Sequence, residues 1–135
     1  QGGLVSALTA ASMPKDISHI ILIFPALCIP DNWNTRYPNL SDIPDTTRLW
    51  NVPMGRRFFT EIRDMDVFEH IGKYKRPVLI VQGDKDPVVS MEDSERAVKI
   101  YKDARLHVIP GAGHGFKPHE FAESIDQIIQ FLSKE

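Results

Sequence analysis

Three short strand-like runs, separated by helix-like sequence, constrain the fold of this chain more than any other feature. They cover Ile20–Phe24, Val78–Gln82 and Arg105–Ile109. The first run, and the second as far as Val81, are unbroken apolar stretches rich in β-branched residues, as in parallel strands that are covered on both faces. Strands that alternate with helices form parallel sheets, because a parallel crossover needs a connection of helix length. The sequence therefore predicts an α/β domain.

The segments around these runs have helical spacing. They predict a short helix over Leu4–Met13, two short helices within Met54–Ile71, one that begins at the capping residue Ser90, and one that opens at Pro118. The apolar positions of the last helix form a stripe that we expect to face the core. These positions are Phe121, Ile125, Ile128 and Leu132.

The stretch from Pro25 to Pro53 interrupts both patterns with prolines and with Asn, Asp and Thr residues. It predicts a long irregular loop, and loops of this length are commonly lids or binding loops. Together with the helical residues that follow, we expect an insertion over residues 25–71. Its Trp33 and Trp50 either line a pocket for an aromatic group or pack the insertion onto the sheet.

The composition excludes several classes of function. The chain has 135 residues, and 16 Lys and Arg against 18 Asp and Glu give a net charge of -2, which provides no basic surface for nucleic acid. The apolar run that ends at Phe24 is far shorter than the roughly 20 residues of a membrane-spanning helix. Cys28 is the single cysteine, so an internal disulfide is excluded. Since the histidines show no metal-ligand spacing, we expect no metal and no cofactor. The compartment and the oligomeric state stay open.

Functional residues of a parallel sheet collect after the carboxyl ends of its strands. The loops over residues 83–89 and 110–116 meet this rule and carry Asp86 and His114. A histidine can take a proton from a nucleophile and return it to a leaving group, while a carboxylate fixes its tautomer. The pair is therefore a candidate acid and base. Asp84 is a competing acid, although its place directly after a strand also suits a turn-stabilising side chain.

This pattern resembles the α/β-hydrolase family. Gly83, Asp86 and Val89 match the G-x-x-D-x-x-V pattern after strand seven of that family, and Gly111 and His114 match the turn after strand eight. The resemblance extends over the whole chain. It implies the C-terminal part of an α/β-hydrolase sheet, strands six to eight, with a lid-like insertion after strand six.

The resemblance also implies the remaining parts of a catalytic site. The family order of nucleophile, acid and histidine requires an upstream serine on a G-x-S-x-G turn, and Gln1–Gly3 looks like the sequence that follows it. We therefore expect the serine immediately before Gln1, and residues 1–135 to be a partial domain without its nucleophile. Asp86 and His114 would complete the triad, and the Gln1 N–H would serve the oxyanion hole.

Within the family, the chain resembles feruloyl or cinnamoyl esterases and related carboxylesterases. This implies a small-molecule ester substrate and an acyl-serine intermediate, with Asp31 on a phenolic hydroxyl. Trp33 and Trp50 are candidate substrate-binding residues on the pocket-lining alternative given above. Three alternatives stay open. They are another acyl hydrolase (lipase, thioesterase, lactonase or peptidase), a noncatalytic α/β-hydrolase-like binding protein, and an unrelated doubly wound domain with a ligand loop at Asp84–Asp86.

Overall fold

The computed structural model describes residues 1–134, and the chain forms two compact units. The first unit comprises Gln1–Leu27 and Phe68–Glu135, and the second comprises Cys28–Val67. In chain order, the elements are α1 (Gly2–Ser12), β1 (Ile20–Ile23), α2 (Ile29–Arg36), a 3-10 turn (Leu40–Asp42), β2 (Thr46–Leu49), β3 (Val52–Gly55), α3 (Arg56–Ile62), α4 (Val67–Ile71), β4 (Val78–Gly83), α5 (Met91–Ile100), β5 (Ala104–Ile109) and α6 (Pro118–Leu132).

The first unit contains a parallel three-stranded sheet of order β1-β4-β5. Ile20 of β1 pairs with Val78 of β4, which in turn pairs with Ala104 of β5. Every residue of β4 is buried, because strands lie on both of its sides and helices cover both of its faces. The predicted α/β class is confirmed, and so are the three predicted strands.

The helices of the first unit divide the residues of β4 between two faces. Leu79 and Val81 belong to a buried cluster that includes Phe131 of α6. Side chains alternate along a strand, so Val78 and Ile80 point to the opposite face, and α5 also packs on β4. The sheet is therefore held between α6 and α5.

The carboxyl ends of the three strands lie at one edge of the sheet, as parallel pairing requires. The N-terminus of α1 also reaches this edge, because Gly3 lies against Pro25, which follows β1. A β-carbon on Gly3 would come within 2.8 Å of the Pro25 Cα, so this close approach requires glycine. The edge thus collects the ends of β1, β4 and β5 and the beginning of α1.

The predicted core stripe of α6 is wrong for three of its four residues. Phe121, Ile125 and Leu132 are exposed, whereas Ile128 is half-buried and packs against the core cluster as predicted. The helix instead turns a second stripe toward the sheet. Its buried members are Glu120, Ser124 and Phe131. This stripe is favoured because Phe131 fills the core cluster, whereas the two polar residues are satisfied locally: Glu120 accepts from the Lys117 N–H at 2.7 Å and Ser124 donates to the Phe121 carbonyl at 2.7 Å.

The expected irregular loop between Pro25 and Pro53 is also wrong, since this stretch contains α2, a 3-10 turn and the β2–β3 hairpin. The prolines occupy positions that regular elements tolerate. Pro30 lies in the first turn of α2, where its missing N–H is not needed. Pro53 lies in a two-stranded hairpin, where each strand has an open side.

The second unit has its own packing. Trp33 of α2 and Tyr37, which directly follows that helix, stack with ring centroids 5.9 Å apart, and Phe59 of α3 meets the Trp33 ring edge-on at 4.8 Å. Arg63 donates to the Tyr37 carbonyl at 2.7 Å, and Arg56 donates to the Leu40 carbonyl at 2.6 Å. An aromatic cluster and two arginines therefore hold the helices and the intervening turn together.

No helix within residues 1–134 combines the length and the apolar character that crossing a membrane demands.

Tyr101, at the end of α5, generates a stability prediction. Its side chain is buried, and its hydroxyl has no hydrogen-bond partner within residues 1–134. Burial, together with the nearby Tyr74, raises the pKa of this phenol. We expect Tyr101→Phe to keep or slightly raise the urea midpoint of the full-length protein, because an unsatisfied buried hydroxyl costs about 1 to 3 kcal/mol.

Tyr74→Phe is the matched control. Its hydroxyl donates to the Ile17 carbonyl at 3.1 Å, so its loss should lower the free energy of unfolding by about 1 kcal/mol. If both variants lower the midpoint equally, the Tyr101 hydroxyl is not unsatisfied.

Candidate active site

Asp86 and His114 meet at the carboxyl edge of the sheet. The His114 Nδ1 lies 2.9 Å from the Asp86 Oδ2. The Asp86 side chain is 1% exposed, whereas the His114 side chain is 35% exposed. Since an ionised carboxylate only accepts hydrogen bonds, Nδ1 must carry the proton. This leaves Nε2 free to exchange a proton with a bound molecule.

The loop after β4 orients the Asp86 carboxylate. Its Oδ1 accepts the backbone N–H of Val88 at 2.8 Å and that of Val89 at 2.9 Å. Aspartate commonly binds the backbone two and three residues further on, which makes such a turn a local property of the sequence. One carboxylate oxygen thus holds the loop and the other holds the imidazole.

The pKa of Asp86 follows from these contacts. Burial alone would raise it, but hydrogen bonds from the Val89 N–H, the His114 ring and the Val88 N–H, together with the charge of His114, outweigh burial. The pKa of Asp86 is therefore held below its ordinary value. The carboxylate stays charged at neutral pH.

The loops after β4 and β5 are joined through their backbones. The Asp84 Oδ1 accepts the Gly111 N–H at 2.7 Å, and the Lys85 N–H donates to the Ala112 carbonyl at 3.0 Å. At Gly83, a β-carbon would collide with the Ala112 carbonyl. The Asp84 carboxylate therefore holds the loop that carries the histidine, while the structure brings Asp86 to the histidine ring itself.

Phe24 is a residue of the site that the sequence analysis missed. Its ring centroid lies 4.7 Å from that of His114 and 5.0 Å from that of Phe116. Its φ of 36° lies in the left-handed region, where a bulky residue is strained and which is often seen at functional sites. The available signal was its position directly after β1, at the carboxyl edge of the sheet.

Gln1 stands at the start of α1, where its carbonyl accepts the Val5 N–H at 3.1 Å. The contact between Gly3 and Pro25 brings this end of α1 to the end of β1. Phe24 precedes Pro25, and its ring lies against His114. The beginning of α1 therefore lies at the carboxyl edge of the sheet, which also carries the Asp86–His114 pair.

The other predicted site residues lie in the second unit. Asp31 is exposed in the first turn of α2. Trp33, on the same helix, packs in the aromatic cluster described above. Trp50 and Asn51 form the two-residue turn between β2 and β3 with φ values of 47° and 64°. Both residues of such a turn adopt positive φ, and the Trp50 side chain at its tip is 82% exposed.

Among residues 1–134, no three His, Cys, Asp or Glu side chains are grouped so that they could hold a metal ion.

A family model of α/β-hydrolases, described as TAP-like protein, matches residues 60–134. The chain is 22% identical to the human serine hydrolase BPHL over 148 residues, which cover 96% of the chain and 50% of that protein. The chain thus spans half the length of this relative.

Solved structures share the fold. Est1E from Butyrivibrio proteoclasticus is 29% identical with a TM-score of 0.84, over 98% of this chain and 58% of that chain. A structure of ferulic acid bound to Est1E gives 28% identity and a TM-score of 0.85, over 98% and 57% of the two chains. Mouse alpha/beta hydrolase domain-containing protein 10 is 15% identical with a TM-score of 0.75, and the alignment covers 98% of this chain and 58% of the mouse protein's chain.

The lowered pKa of Asp86 predicts a specific acid dependence of stability. A carboxylate whose pKa is lower in the folded state stabilises the fold above its unfolded pKa, and this contribution is lost as pH falls through its folded pKa. We expect Asp86→Asn to lower the free energy of unfolding at pH 7 by about 2 kcal/mol. We also expect it to flatten the loss of stability below about pH 5.

Urea unfolding of the full-length protein at a series of pH values measures both effects. Asp126→Asn is the control, because Asp126 is an exposed residue of α6, and it should retain the acid dependence of the unsubstituted protein. Parallel acid profiles for the Asp86 variant and the unsubstituted protein would contradict the prediction.

Proposed function

The chain belongs to the TAP-like family of α/β-hydrolases, and we propose that the full-length protein is a serine hydrolase that cleaves carboxylic esters. Membership of this family excludes the alternative of an unrelated doubly wound domain. The observation that carries the proposal is the Asp86–His114 pair, with the imidazole 2.9 Å from a buried carboxylate. This is the arrangement that a general base needs when it activates a hydroxyl nucleophile.

In the proposed mechanism, a serine immediately before Gln1 attacks the ester carbonyl. The His114 Nε2 takes the proton of the serine hydroxyl, and Asp86 stabilises the resulting imidazolium. Support for the position of the serine comes from the beginning of α1, which reaches the sheet edge that carries His114. The Gln1 N–H, at the positive end of α1, is our candidate for one oxyanion donor.

His114 transfers the protons in both halves of the reaction. The imidazolium gives its proton to the departing alcohol as the tetrahedral intermediate collapses to an acyl-serine. Water attacks this ester while Nε2 takes its proton. As the second intermediate collapses, the imidazolium gives this proton to the serine oxygen, which regenerates the serine and releases the carboxylic acid.

We propose further that the substrate is an aromatic acyl ester of the feruloyl or cinnamoyl type. The support is the 28% identity to Est1E, one structure of which holds ferulic acid. In this proposal, residues 25–71 act as a lid, Asp31 accepts a hydrogen bond from a phenolic hydroxyl, and Trp33 and Trp50 are substrate-binding residues. The exposed Trp50 ring offers a flat apolar surface on which an aromatic acid can stack.

The central test combines labelling and turnover. We expect a fluorophosphonate, which captures activated serines, to add one adduct to the full-length protein in intact-mass spectrometry. His114→Ala should prevent the adduct and reduce ester turnover about ten-thousand-fold, because the serine loses its base. His119→Ala is the control, since this histidine lies on α6 with its side chain 77% exposed.

The outcomes separate the alternatives. Near-normal turnover in the His114 variant would refute the proposed triad. A full-length protein without adduct or turnover would favour a noncatalytic α/β-hydrolase-like binding protein.

Substrate class is tested at Asp31. We expect Asp31→Asn to lower kcat/KM for methyl ferulate about ten-fold, because one charged hydrogen bond of the transition state is weakened. Methyl cinnamate lacks the hydroxyl and should be unaffected. Asp64→Asn, at another exposed carboxylate of the second unit, should change neither value. An equal loss of kcat/KM for both esters would show that Asp31 does not bind the phenolic hydroxyl.

A further inference from the structure

Gln82 is a buried polar residue in the middle of the sheet. It is completely buried, and β4 is otherwise apolar up to its terminal glycine. A primary amide in such a position destabilises the fold unless its donor and acceptor groups are paired. The contacts of this side chain therefore indicate why an amide is retained there.

Both ends of the Gln82 amide are paired, and each reaches a different element. The Nε2 donates to the Val89 carbonyl at 2.8 Å, and the Oε1 accepts from the Ser94 hydroxyl of α5. Ser94 is itself completely buried. The amide thus ties the strand, the loop that follows it and the next helix into one buried network.

The network ends at the candidate catalytic acid. Val89 accepts from Gln82 through its carbonyl and donates through its N–H to the Asp86 Oδ1 at 2.9 Å. Val89 is 1% exposed, whereas Val88 beside it is 50% exposed. Val89 is therefore the buried residue that anchors the loop, and the Gln82 side chain holds it by a hydrogen bond to its carbonyl.

We propose that Gln82 is a positioning residue for ester hydrolysis, which holds the Val89 anchor so that the Asp86 carboxylate meets the His114 ring. This inference rests on the proposed function. An apolar side chain of similar length would fill the same space, but it could not bind the Val89 carbonyl. The loop would then be free to shift, and small displacements of a catalytic group reduce rates strongly.

The test uses Gln82→Met in the full-length protein, with p-nitrophenyl acetate as the substrate. Methionine keeps the length and the flexibility of the side chain but has no donor for the Val89 carbonyl. We expect kcat to fall about ten- to one-hundred-fold with little change in KM. The far-downfield proton resonance of the His114 Nδ1–H should move upfield or broaden, because its hydrogen bond to Asp86 weakens.

Val81→Ala is the matched control for lost stability. Val81 is the neighbouring residue of β4 and is equally buried, but its side chain lies in the core cluster on the opposite face. The variant should unfold more easily and yet keep kcat and the proton resonance, when assayed where it is fully folded by circular dichroism. If it loses kcat as much as Gln82→Met does, the role of Gln82 is structural only and the inference is overturned.

Ser94→Ala provides a second route if the Gln82 variant does not fold. It removes the donor to the Gln82 Oε1 that holds the amide in the orientation that binds Val89. The bond to Val89 should weaken, so we expect a smaller fall in kcat with unchanged KM. Unchanged kcat in the folded Ser94 variant, or in the folded Gln82 variant, would overturn the inference. His114→Ala separates this failure from that of the proposed function, since an active His114 variant refutes the triad itself.

Discussion

The close backbone contact between Gly83 and Ala112 is the constraint on which the candidate site depends. A side chain at Gly83 would collide with the Ala112 carbonyl, so only glycine lets the ends of β4 and β5 approach this closely. The approach allows the Asp84 carboxylate to bind the Gly111 N–H. It also brings two loops together across a whole strand-helix-strand unit, so that Asp86 reaches His114. Pairing of the two parallel strands alone would align the loops without joining them.

Much of this arrangement could be predicted from the sequence because it rests on local patterns and on one topological rule. The apolar runs at Ile20–Phe24 and Val78–Val81 have the continuous character of covered parallel strands, and both lie in strands. The side of the sheet on which Asp86 and His114 lie follows from the rule that parallel strands share their carboxyl edge. The prediction failed where more than one face of a helix fits the same hydrophobic pattern. Helix α6 has two stripes that could face a sheet, and its choice depends on whether Phe131 fits the core cluster.

The residues that sequence reasoning missed act through tertiary contacts. Gln82 occupies a position where the strand pattern favours an apolar residue, and its role becomes visible only when Val89 and Ser94 are seen on either side of it. Phe24 is an ordinary last residue of a strand in the sequence, but its backbone adopts a positive φ and its ring lies against His114. The two-residue turn at Trp50 and Asn51 was hidden for a related reason, since tryptophan is not a residue that such turns favour.

The second unit contains its own packing contacts and hydrogen bonds. Trp33 packs against Phe59, and Arg63 and Arg56 bind backbone carbonyls within the same unit. The Asp86–His114 pair is instead held by the loops and the sheet of the first unit, from Gly83 to the Gln82 network. Every partner named for Asp86 is a residue of the first unit, so a substitution at Trp50, which is exposed in the second unit, removes none of these bonds. Under the proposed function, acyl specificity can therefore change by substitution in the second unit without the loss of a bond that orients Asp86.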